Sequence, residues 1–285
     1  MIVVTGATGR LGRLVVDGLL ESVPADHVVA AVRNPGKAAD LAARGVKIKE
    51  ADYERPETLK GVFAPGDTVL FISGDAVGRR LGQHRAVVDA ARAAEVARIV
   101  YTSVLHADTT PLALAADHRG TEEHIRASGI PFTFLRNGFY TEVYAASVLQ
   151  GVEHGVIFGA AGEGRVAGAA RADFAAAAVA VLTREEDGDK IYELSGDTAW
   201  SLPELAAEVS AATGRPVVYQ DLPHADYRQA LIDAGLPEPA ATMYADIDLD
   251  IVRGALSPTP GELSALIGRP TTPLRESVAA ILKEA

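Results

Sequence analysis

The sequence predicts an α/β fold: a doubly wound parallel sheet with a smaller C-terminal α+β cap. Two observations predict it. Up to residue 136, short apolar runs alternate with stretches of helical period, the order of strands and helices in a parallel sheet. The first of these runs leads directly into a glycine-rich turn at residues 6–12. A chain of 285 residues, 48% of them hydrophobic, is long enough to bury a core of this size.

The first half contains six apolar or alternating runs that predict strands. These runs cover residues 1–5, 27–33, 46–52, 67–73, 98–103 and 132–136. Helices are predicted between the strands, where apolar positions recur at helical spacing. The predicted helices cover residues 13–20, 37–44, 83–96 and 117–128.

Past residue 140 the pattern changes. Residues 151–168 are rich in glycine and are predicted to be irregular, with short strands. A packed helix is predicted at residues 174–183, and strands are predicted at residues 190–194 and 217–222.

A helix start is encoded at Ser201, because Glu204 follows three residues later and Pro203 lies early in the helix. This capping box predicts a helix that extends to about Thr213. The remaining residues are predicted to form short helices only, because prolines interrupt them repeatedly. These prolines are Pro237, Pro239, Pro258, Pro260, Pro270 and Pro273.

Composition excludes several classes of function. The formal net charge of −11 argues against a nucleic-acid partner, because there is no basic excess to neutralise phosphates. The absence of cysteine excludes disulfides, thiol nucleophiles and cysteine-ligated metals. The longest apolar run, residues 174–182, is too short to span a bilayer. Because the sequence starts on its first predicted core strand, we expect no leader. We expect a cytoplasmic protein with no integral membrane segment.

The turn after the first strand has the spacing G-x-x-G-x-x-G and runs into a helix. Glycines leave room for backbone N–H groups to approach a pyrophosphate at the positive end of that helix. The pattern predicts a dinucleotide site of the Rossmann type, in the variant found in short-chain-dehydrogenase-like folds. Its residues are Gly6, Ala7, Thr8, Gly9, Arg10, Leu11 and Gly12.

Arg33 indicates which nicotinamide cofactor binds. In a Rossmann unit the end of the second strand meets the adenosine ribose, where a cation suits the 2′-phosphate of NADP. Arg33 stands there, and no acidic residue lies between Val28 and Gly36. Its guanidinium matches a phosphate in charge and geometry, so we expect NADP(H) as the cofactor. The alternative interpretation is that Arg33 is a solvated arginine in a loop.

Two further side chains near this site have alternative interpretations. Arg10 either adds a second charge near the phosphate or faces solvent. Asp52, at the end of the third strand, either accepts a hydrogen bond from the adenine amino group or caps the next turn.

The usual proton relay of short-chain dehydrogenases is missing. That relay pairs a tyrosine with a lysine four residues on, so that the tyrosine can exchange a proton at neutral pH. None of the eight tyrosines has such a lysine. Ser103 lies where the serine of the relay would lie, but its partners are absent. Either the protein performs no redox chemistry, or its electron acceptor needs no general acid. Quinones and cationic dyes are acceptors of the second kind. We therefore predict no catalytic acid or base.

Other arrangements of polar residues are weaker evidence for a catalytic or metal site. His118 and His124 are six positions apart and do not share a helix face as metal ligands would, so we predict no metal site. Ser103 and His106 lack the G-x-S-x-G elbow of a hydrolase. The carboxylates of residues 122–123 and 185–187 are interpreted as solvated faces.

The chain resembles the NmrA-like group of atypical short-chain dehydrogenases over essentially its whole length. Within that group it is most similar to bacterial type 2 NAD(P)H:quinone oxidoreductases, with triphenylmethane-dye reductases as near relatives. The similarity is carried by residues 4–9, 32–35, 50–53, 83–85, 101–109, 135–140 and 266–272. Residues 101–109 favour the quinone reductases over the dye reductases.

The resemblance implies that NADPH lies in the glycine turn and against Arg33. It also implies a nicotinamide side, closed by residues 168–171. The residues implied there are Ser73, Gly74, Asp75, Asn137, Gly138, Phe139, Tyr140, Thr141, Glu142 and Arg171. The chain departs from the group at Gly74 and Asp75, where relatives often carry small hydroxyl residues, and at Arg10, often glutamine. The departure at Gly74 and Asp75 weakens the expectation of cofactor contacts at the fourth strand. The departure at Arg10 is expected to tighten NADP binding.

The leading hypothesis is an NADPH-dependent, flavin-free oxidoreductase that passes hydride directly to a quinone. Phe139, Tyr140 and Tyr144 are candidates for the acceptor pocket, because aromatic faces hold flat ligands well; for Tyr144 we favour a core role. The alternatives are a non-catalytic NADP(H)-binding redox sensor and a reductase of dyes or enones.

We expect residues 1–140 and 171–195 to form the dinucleotide-binding domain. Residues 141–170 and 196–285 are expected to form a smaller cap on the substrate side, over the carboxyl edge of the sheet. The partner is expected to be a small-molecule quinone or similar acceptor, and the protein a monomer or homodimer.

Overall fold

The computed structural model describes residues 1–76, 78–184 and 188–284. The described residues fall into two compact units. The first, called the sheet unit, comprises Met1–Thr109, Leu114–Asn137 and Ala172–Leu194. The second, called the C-terminal unit, comprises Thr110–Ala113, Gly138–Arg171 and the described residues from Ser195 onward.

The strands and helices of the described chain follow the order expected for an α/β protein. The strands are β1 Ile2–Thr5, β2 Val28–Val32, β3 Lys47–Glu50, β4 Thr68–Phe71, β5 Arg98–Val104, β6 Phe132–Asn137, β7 Val156–Gly159, β8 Arg165–Val166, β9 Lys190–Leu194, β10 Trp200–Ser201 and β11 Val218–Asp221. The α-helices are α1 Arg10–Leu19, α2 Ala39–Ala43, α3 Arg80–Ala93, α4 Ala115–Ser128, α5 Ala145–His154, α6 Arg171–Thr183, α7 Leu202–Thr213, α8 His224–Asp233, α9 Glu238–Val252, α10 Glu262–Ile267 and α11 Leu274–Glu284. Short 3-10 turns lie between several of them.

The sheet unit confirms the predicted doubly wound parallel sheet. Within the described residues, seven strands pair in the order β3-β2-β1-β4-β5-β6-β9, and every pairing is parallel. The central strands are almost entirely buried, because their Val, Ile, Leu and Phe side chains are covered by other elements on both faces of the sheet. The strand order reverses between β1 and β4, so the carboxyl ends of these two strands border the crevice where such sheets bind ligands.

The glycine turn after β1 is shaped by backbone geometry that only glycine tolerates. Gly6 has a φ of +59°, in the left-handed region. A Cβ on Gly12 would overlap the carbonyl oxygen of Gly6 and lie 2.8 Å from the Cα of Ala7. The backbone N–H of Gly9 donates to the Gly6 carbonyl at 2.9 Å and closes the turn. The first turn of α1 therefore packs directly against the backbone of residues 6–7.

The C-terminal unit contains two small sheets and the remaining helices. β7 pairs with β11 in parallel, and β8 pairs with β10 in antiparallel orientation. The capping box predicted for α7 is present, because the Ser201 side chain accepts from the N–H of Glu204 while the Glu204 carboxylate accepts from the N–H of Ser201. The reciprocal bonds satisfy two backbone donors at the helix start.

Two predictions for the C-terminal unit were wrong. Part of the segment predicted to be irregular belongs to the unforeseen helix α5, because Gly151 packs its backbone against Ile157 and Val217 rather than breaking the helix. The prediction of short helices alone fails at α9, which has 15 residues. Its prolines do not interrupt it, because Pro237 is the N-cap residue and Pro239 lies in the first turn, where no N–H bond is lost.

No helix in the described part of the chain is both long and apolar enough to cross a membrane.

Replacing Gly12 by alanine tests the close packing of the glycine turn. The new methyl group would meet the Gly6 carbonyl, so we expect the free energy of unfolding to fall by about 1–3 kcal/mol. Gly82→Ala in α3 is the matched control, since its Cβ would meet no atom within 4 Å. The control should leave stability unchanged or raise it by up to about 1 kcal/mol. Urea unfolding followed by circular dichroism measures both, and equal effects would contradict the packing argument.

Candidate active site

The start of α1 presents backbone donors with no side-chain partner. Gly9 is the N-cap residue and makes no side-chain cap hydrogen bond. Ala7 and Leu11 are buried and anchor the turn, whereas Gly6 and Gly9 are exposed. The first N–H groups of a helix and its positive end attract anions. This cradle fits a pyrophosphate group, and a Cβ at Gly12 would deform it.

Two arginines add positive charge to this part of the sheet unit. Arg33 directly follows β2 and Arg10 begins α1, and both side chains are exposed. Among the described residues neither has an ion-pair or hydrogen-bond partner, whereas neighbouring Arg13 is paired with Asp40. An unpaired guanidinium after β2 fits the 2′-phosphate of NADP, as the sequence predicted.

Asp52 adopts the capping role that was one of its two interpretations. Its Oδ1 accepts from the backbone N–H of Glu54 at 3.0 Å, and its Oδ2 accepts from Nε of Arg55 at 3.2 Å. The carboxylate therefore stabilises the turn after β3. Its predicted contact with the cofactor stays a prediction.

The loop after β4 is held from two directions. The N–H of Ser73 donates to Oγ1 of Thr102 at 2.9 Å, and the N–H of Gly74 donates to Nε2 of His84 at 3.0 Å. Arg80 donates to the carbonyl oxygen of Gly74 at 2.7 Å. These bonds fix the backbone of the loop at the carboxyl edge of the sheet, next to the glycine turn. Asp75 is exposed.

His84 is a site residue that sequence reasoning missed. Its ring is fully buried, and because Nε2 accepts from Gly74, the proton lies on Nδ1, 2.8 Å from Oγ1 of Thr121. Thr121 in turn donates to the carbonyl oxygen of Asp117 at 2.7 Å. Burial, together with His118 and Arg80, lowers the pKa of His84 to about 3. The neutral ring is therefore a fixed acceptor for the loop.

His118 is buried close to His84. Its Nδ1 lies 2.8 Å from the hydroxyl of Tyr101, and burial lowers its pKa to about 3. Among the described residues, no group of three or more His, Cys, Asp or Glu is placed to hold a metal ion.

The interpretation of Glu122 as a solvated carboxylate was wrong. Glu122 is 1% exposed, and Nε and Nη2 of Arg136 donate to its two oxygens at 2.9 and 2.8 Å. The hydroxyl of Ser103 also donates to Glu122, at 2.7 Å. Glu123 is exposed, as predicted, and residues 185–187 lie outside the described residues. The Ser103 hydroxyl thus donates to one member of a buried ion pair, Glu122–Arg136. Among the described residues it has neither a tyrosine partner nor a hydrolase geometry with His106.

Residues 138–142 pair with the segment that ends at Arg171, within the C-terminal unit. The N–H of Thr141 donates to the carbonyl oxygen of Ala169 at 2.9 Å. The carboxylate of Glu142 accepts from the N–H of Arg171 at 2.9 and 3.0 Å, and the Arg171 guanidinium lies 4.9 Å from the ring centre of Tyr140. The structure therefore brings these predicted residues together. Asn137, the last residue of β6, accepts a backbone bond from Leu105 in the sheet unit.

A cavity of about 630 Å3 opens in the C-terminal unit. Phe139 and Tyr144 line it, but Tyr140 does not. Tyr144 is also buried and packs edge-on against Trp200, with ring centres 5.0 Å apart, so it serves core and cavity together. The wall contains one buried carboxylate, Asp248, that sequence reasoning did not single out. No local pattern marks it, since its burial depends on segments distant in sequence.

The fold and the glycine turn define the class of this protein: a dinucleotide-binding α/β protein of the Rossmann type. A family model described as NAD(P)H-binding matches residues 6–185. Quinone oxidoreductase 2 of Escherichia coli is 49% identical over 279 residues, which cover 98% of this chain and 98% of that protein. The chain belongs to the NAD(P)H-binding family.

Solved structures agree with this assignment. The crystal structure of the E. coli NADPH-dependent quinone oxidoreductase complexed with NADPH has a TM-score of 0.95 and 48% identity, covering 99% of this chain and 100% of that chain. Triphenylmethane reductase from Citrobacter sp., complexed with NADP(H), has a TM-score of 0.93 and 41% identity, covering 99% of this chain and 100% of that chain. These matches confirm the resemblance that the sequence motifs predicted.

Because His84 and His118 are buried and neutral, the free energy of unfolding should depend on pH. The unfolded chain protonates these rings near the ordinary pKa of 6.5, whereas the folded chain does so only near 3. The free energy of unfolding should therefore fall as the pH drops from about 6.5 towards 3. His84→Asn should reduce this acid sensitivity, and exposed His27→Asn is the control. Urea unfolding at a series of pH values measures it, and an unchanged slope in His84→Asn would refute the assignment.

Proposed function

We propose that this protein is an NADPH-dependent, flavin-free oxidoreductase that reduces quinones. The observation that carries the proposal is the 49% identity to E. coli quinone oxidoreductase 2 over nearly the full length of both chains. The similarity of the backbone to that enzyme complexed with NADPH supports it.

The residues of the sheet unit fit the cofactor. Backbone N–H groups at the start of α1 would bind the pyrophosphate, and Arg33 would bind the 2′-phosphate. Arg10 would add a second positive charge. The loop from Ser73 to Asp75, fixed by His84, would border the nicotinamide, as the resemblance implies.

NADPH, when bound, supplies the hydride for the reaction. The chain's own residues orient the cofactor and hold the acceptor, and the fixed geometry supplies much of the rate. Ser103 takes no part in proton exchange in this proposal, because its hydroxyl is committed to Glu122. A quinone suits such a site, since the oxygen of its reduced product is readily protonated.

Reduction of cationic dyes is a second candidate activity. Triphenylmethane reductase is 41% identical to this protein over almost the whole chain. If the two proteins share an acceptor site, they would also share the class of acceptor that they reduce. The non-catalytic sensor predicts cofactor binding without turnover.

We further propose that residues 1–140 and 171–195 act as the cofactor domain, with residues 141–170 and 196–285 on the acceptor side. The protein is proposed to act in the cytoplasm, without nucleic acid, as a monomer or homodimer.

Purified protein should oxidise NADPH when a quinone is added, because the proposed reaction needs no further cofactor. A panel of benzoquinones, naphthoquinones and triphenylmethane dyes, followed by NADPH absorbance, measures it. Bound flavin is checked from the absorbance spectrum of the enzyme. NADPH binding without turnover of any acceptor would favour the sensor instead.

Arg33→Ala tests the choice of cofactor. Loss of a charge-assisted bond to the 2′-phosphate should weaken NADPH binding by about 10- to 100-fold, with little effect on NADH, which lacks that phosphate. Arg44→Ala removes the same charge from a residue already paired with Asp17 and serves as the control. Dissociation constants by calorimetry decide the matter, and equal losses for both cofactors would contradict the assignment.

A further inference from the structure

The loop after β4 begins at Ile72 and lies directly beside the glycine turn. A Cβ added to Gly6 would lie 3.8 Å from the Cβ of Ile72, an ordinary packing distance. The side chain of Thr5, the last residue of β1, accepts from the N–H of Ile72 at 3.0 Å. Thr5 is fully buried and immediately precedes Gly6, so the loop and the turn share one anchor.

The strand order indicates which half of the cofactor this loop would meet. β2 and β4 lie on opposite sides of β1. In the proposed binding mode the pyrophosphate lies at the start of α1 and the 2′-phosphate at Arg33, directly after β2. The adenosine half therefore extends toward β2. Because a dinucleotide spans the crevice where the strand order reverses, the nicotinamide half extends toward β4 and its loop.

Three consecutive backbone N–H groups of this loop each donate to a side chain from a different element. They are the N–H of Ile72, bonded to Oγ1 of Thr5 at 3.0 Å, the N–H of Ser73, bonded to Oγ1 of Thr102 at 2.9 Å, and the N–H of Gly74, bonded to Nε2 of His84 at 3.0 Å. Nε of Arg80 also donates to the carbonyl oxygen of Gly74, at 2.7 Å. Side chains thus hold the backbone in place where the strand itself has ended at Phe71.

His84 holds the loop through a ring whose orientation is itself fixed. The ring is fully buried, and Phe71 packs edge-on against it, with ring centres 4.8 Å apart. Its Nδ1 lies 2.8 Å from Oγ1 of Thr121, which donates to the carbonyl oxygen of Asp117 on α4. These bonds keep the proton on Nδ1 and the lone pair of Nε2 directed at the loop.

We propose that His84 is a positioning residue for the nicotinamide of NADPH, a role that rests on the proposed NADPH-dependent function. Its Nε2 fixes the N–H of Gly74, and the fixed loop sets where the nicotinamide ring lies. His84 is fully buried and acts through the loop; it exchanges no proton during the reaction. Small displacements of a reacting ring cost large factors in rate, so the loss of this one acceptor should slow hydride transfer.

Two amide variants separate the acceptor from the rest of the side chain. His84→Gln can place its Oε1 close to the position of Nε2 and still accept from the N–H of Gly74. His84→Asn keeps a polar group near Thr121 but is too short to reach Gly74. The control is Val88→Ala, one turn further along α3, where a fully buried side chain loses packing but no bond to the loop is lost.

Arg80→Met is a second variant that acts on the same loop. It removes the bond to the carbonyl oxygen of Gly74 and leaves the histidine in place. Arg80 is partly exposed, so this variant tests the loop even where His84→Asn does not fold. It should change the loop and the cofactor in the same direction as His84→Asn, by a smaller factor.

The first readout is amide hydrogen exchange of residues 72–75 in the protein without cofactor. His84→Asn should speed exchange in this loop by about tenfold, because the N–H of Gly74 loses its acceptor. His84→Gln should stay within about threefold of the wild type, and so should Val88→Ala.

The second readout compares the two halves of the cofactor by calorimetry. His84→Asn should bind NADPH about tenfold more weakly, because the nicotinamide half loses an ordered wall. It should bind 2′,5′-ADP, which carries the adenosine half alone, within about twofold of the wild type. General loosening of the sheet unit would weaken both ligands together. His84→Gln should restore NADPH affinity.

The third readout is turnover with 2-methyl-1,4-naphthoquinone at saturating NADPH. His84→Asn should lower kcat by about 10- to 100-fold, because a bound but misplaced nicotinamide transfers hydride slowly. His84→Gln should recover kcat to within about threefold of the wild type. Val88→Ala should lower stability without this loss of kcat.

Three results would overturn the role of His84 while the proposed function stands. The first is unchanged hydrogen exchange of the loop in both His84→Asn and Arg80→Met. The second is a released loop with unchanged NADPH affinity and kcat, and the third is the same loss of both in Val88→Ala. A wild-type protein that binds NADPH but reduces no quinone would overturn the proposed function instead, because the exchange and binding measurements still decide the role of His84.

Discussion

The candidate site depends on one close approach of backbone to backbone, between the first turn of α1 and the glycine turn after β1. A side chain on Gly12 would overlap the carbonyl of Gly6, and Gly6 itself occupies the left-handed region. Buried Ala7 and Leu11 tie this turn to the core. Because no side chain caps the helix, its backbone donors stay available at the point where the strand order reverses. The other proposed cofactor contacts, at Arg33 and the loop after β4, belong to the same unit as this cradle.

Several buried polar side chains near the carboxyl ends of the neighbouring strands have structural partners. Ser103 and Arg136 share the carboxylate of Glu122, and His84 anchors the N–H of Gly74. Buried groups with satisfied bonds are rigid and stabilising, but they do not exchange protons easily. This arrangement accounts for a reductase-like fold without the tyrosine and lysine relay. The side chains of Thr102 and His84 hold the backbone of the loop after β4 in place.

The C-terminal unit carries the contrasting case. Asp248 is buried, and this burial disfavours its charged form and costs stability at neutral pH. Functional groups are often retained at such a cost.

The sequence by itself determined four features: the sheet, the glycine turn, the capping box at Ser201 and the position of the Arg33 cation after the second strand. Each of these depends on residues within a few positions, through period, backbone freedom or spacing. Glu122 looked solvated because Glu123 follows it, yet its partners Arg136 and Ser103 lie 14 and 19 positions away. Asp248 meets the N–H of Ala160 across 88 positions. Only the tertiary structure decides which charged groups are buried and paired, because burial is set by segments that are distant along the chain.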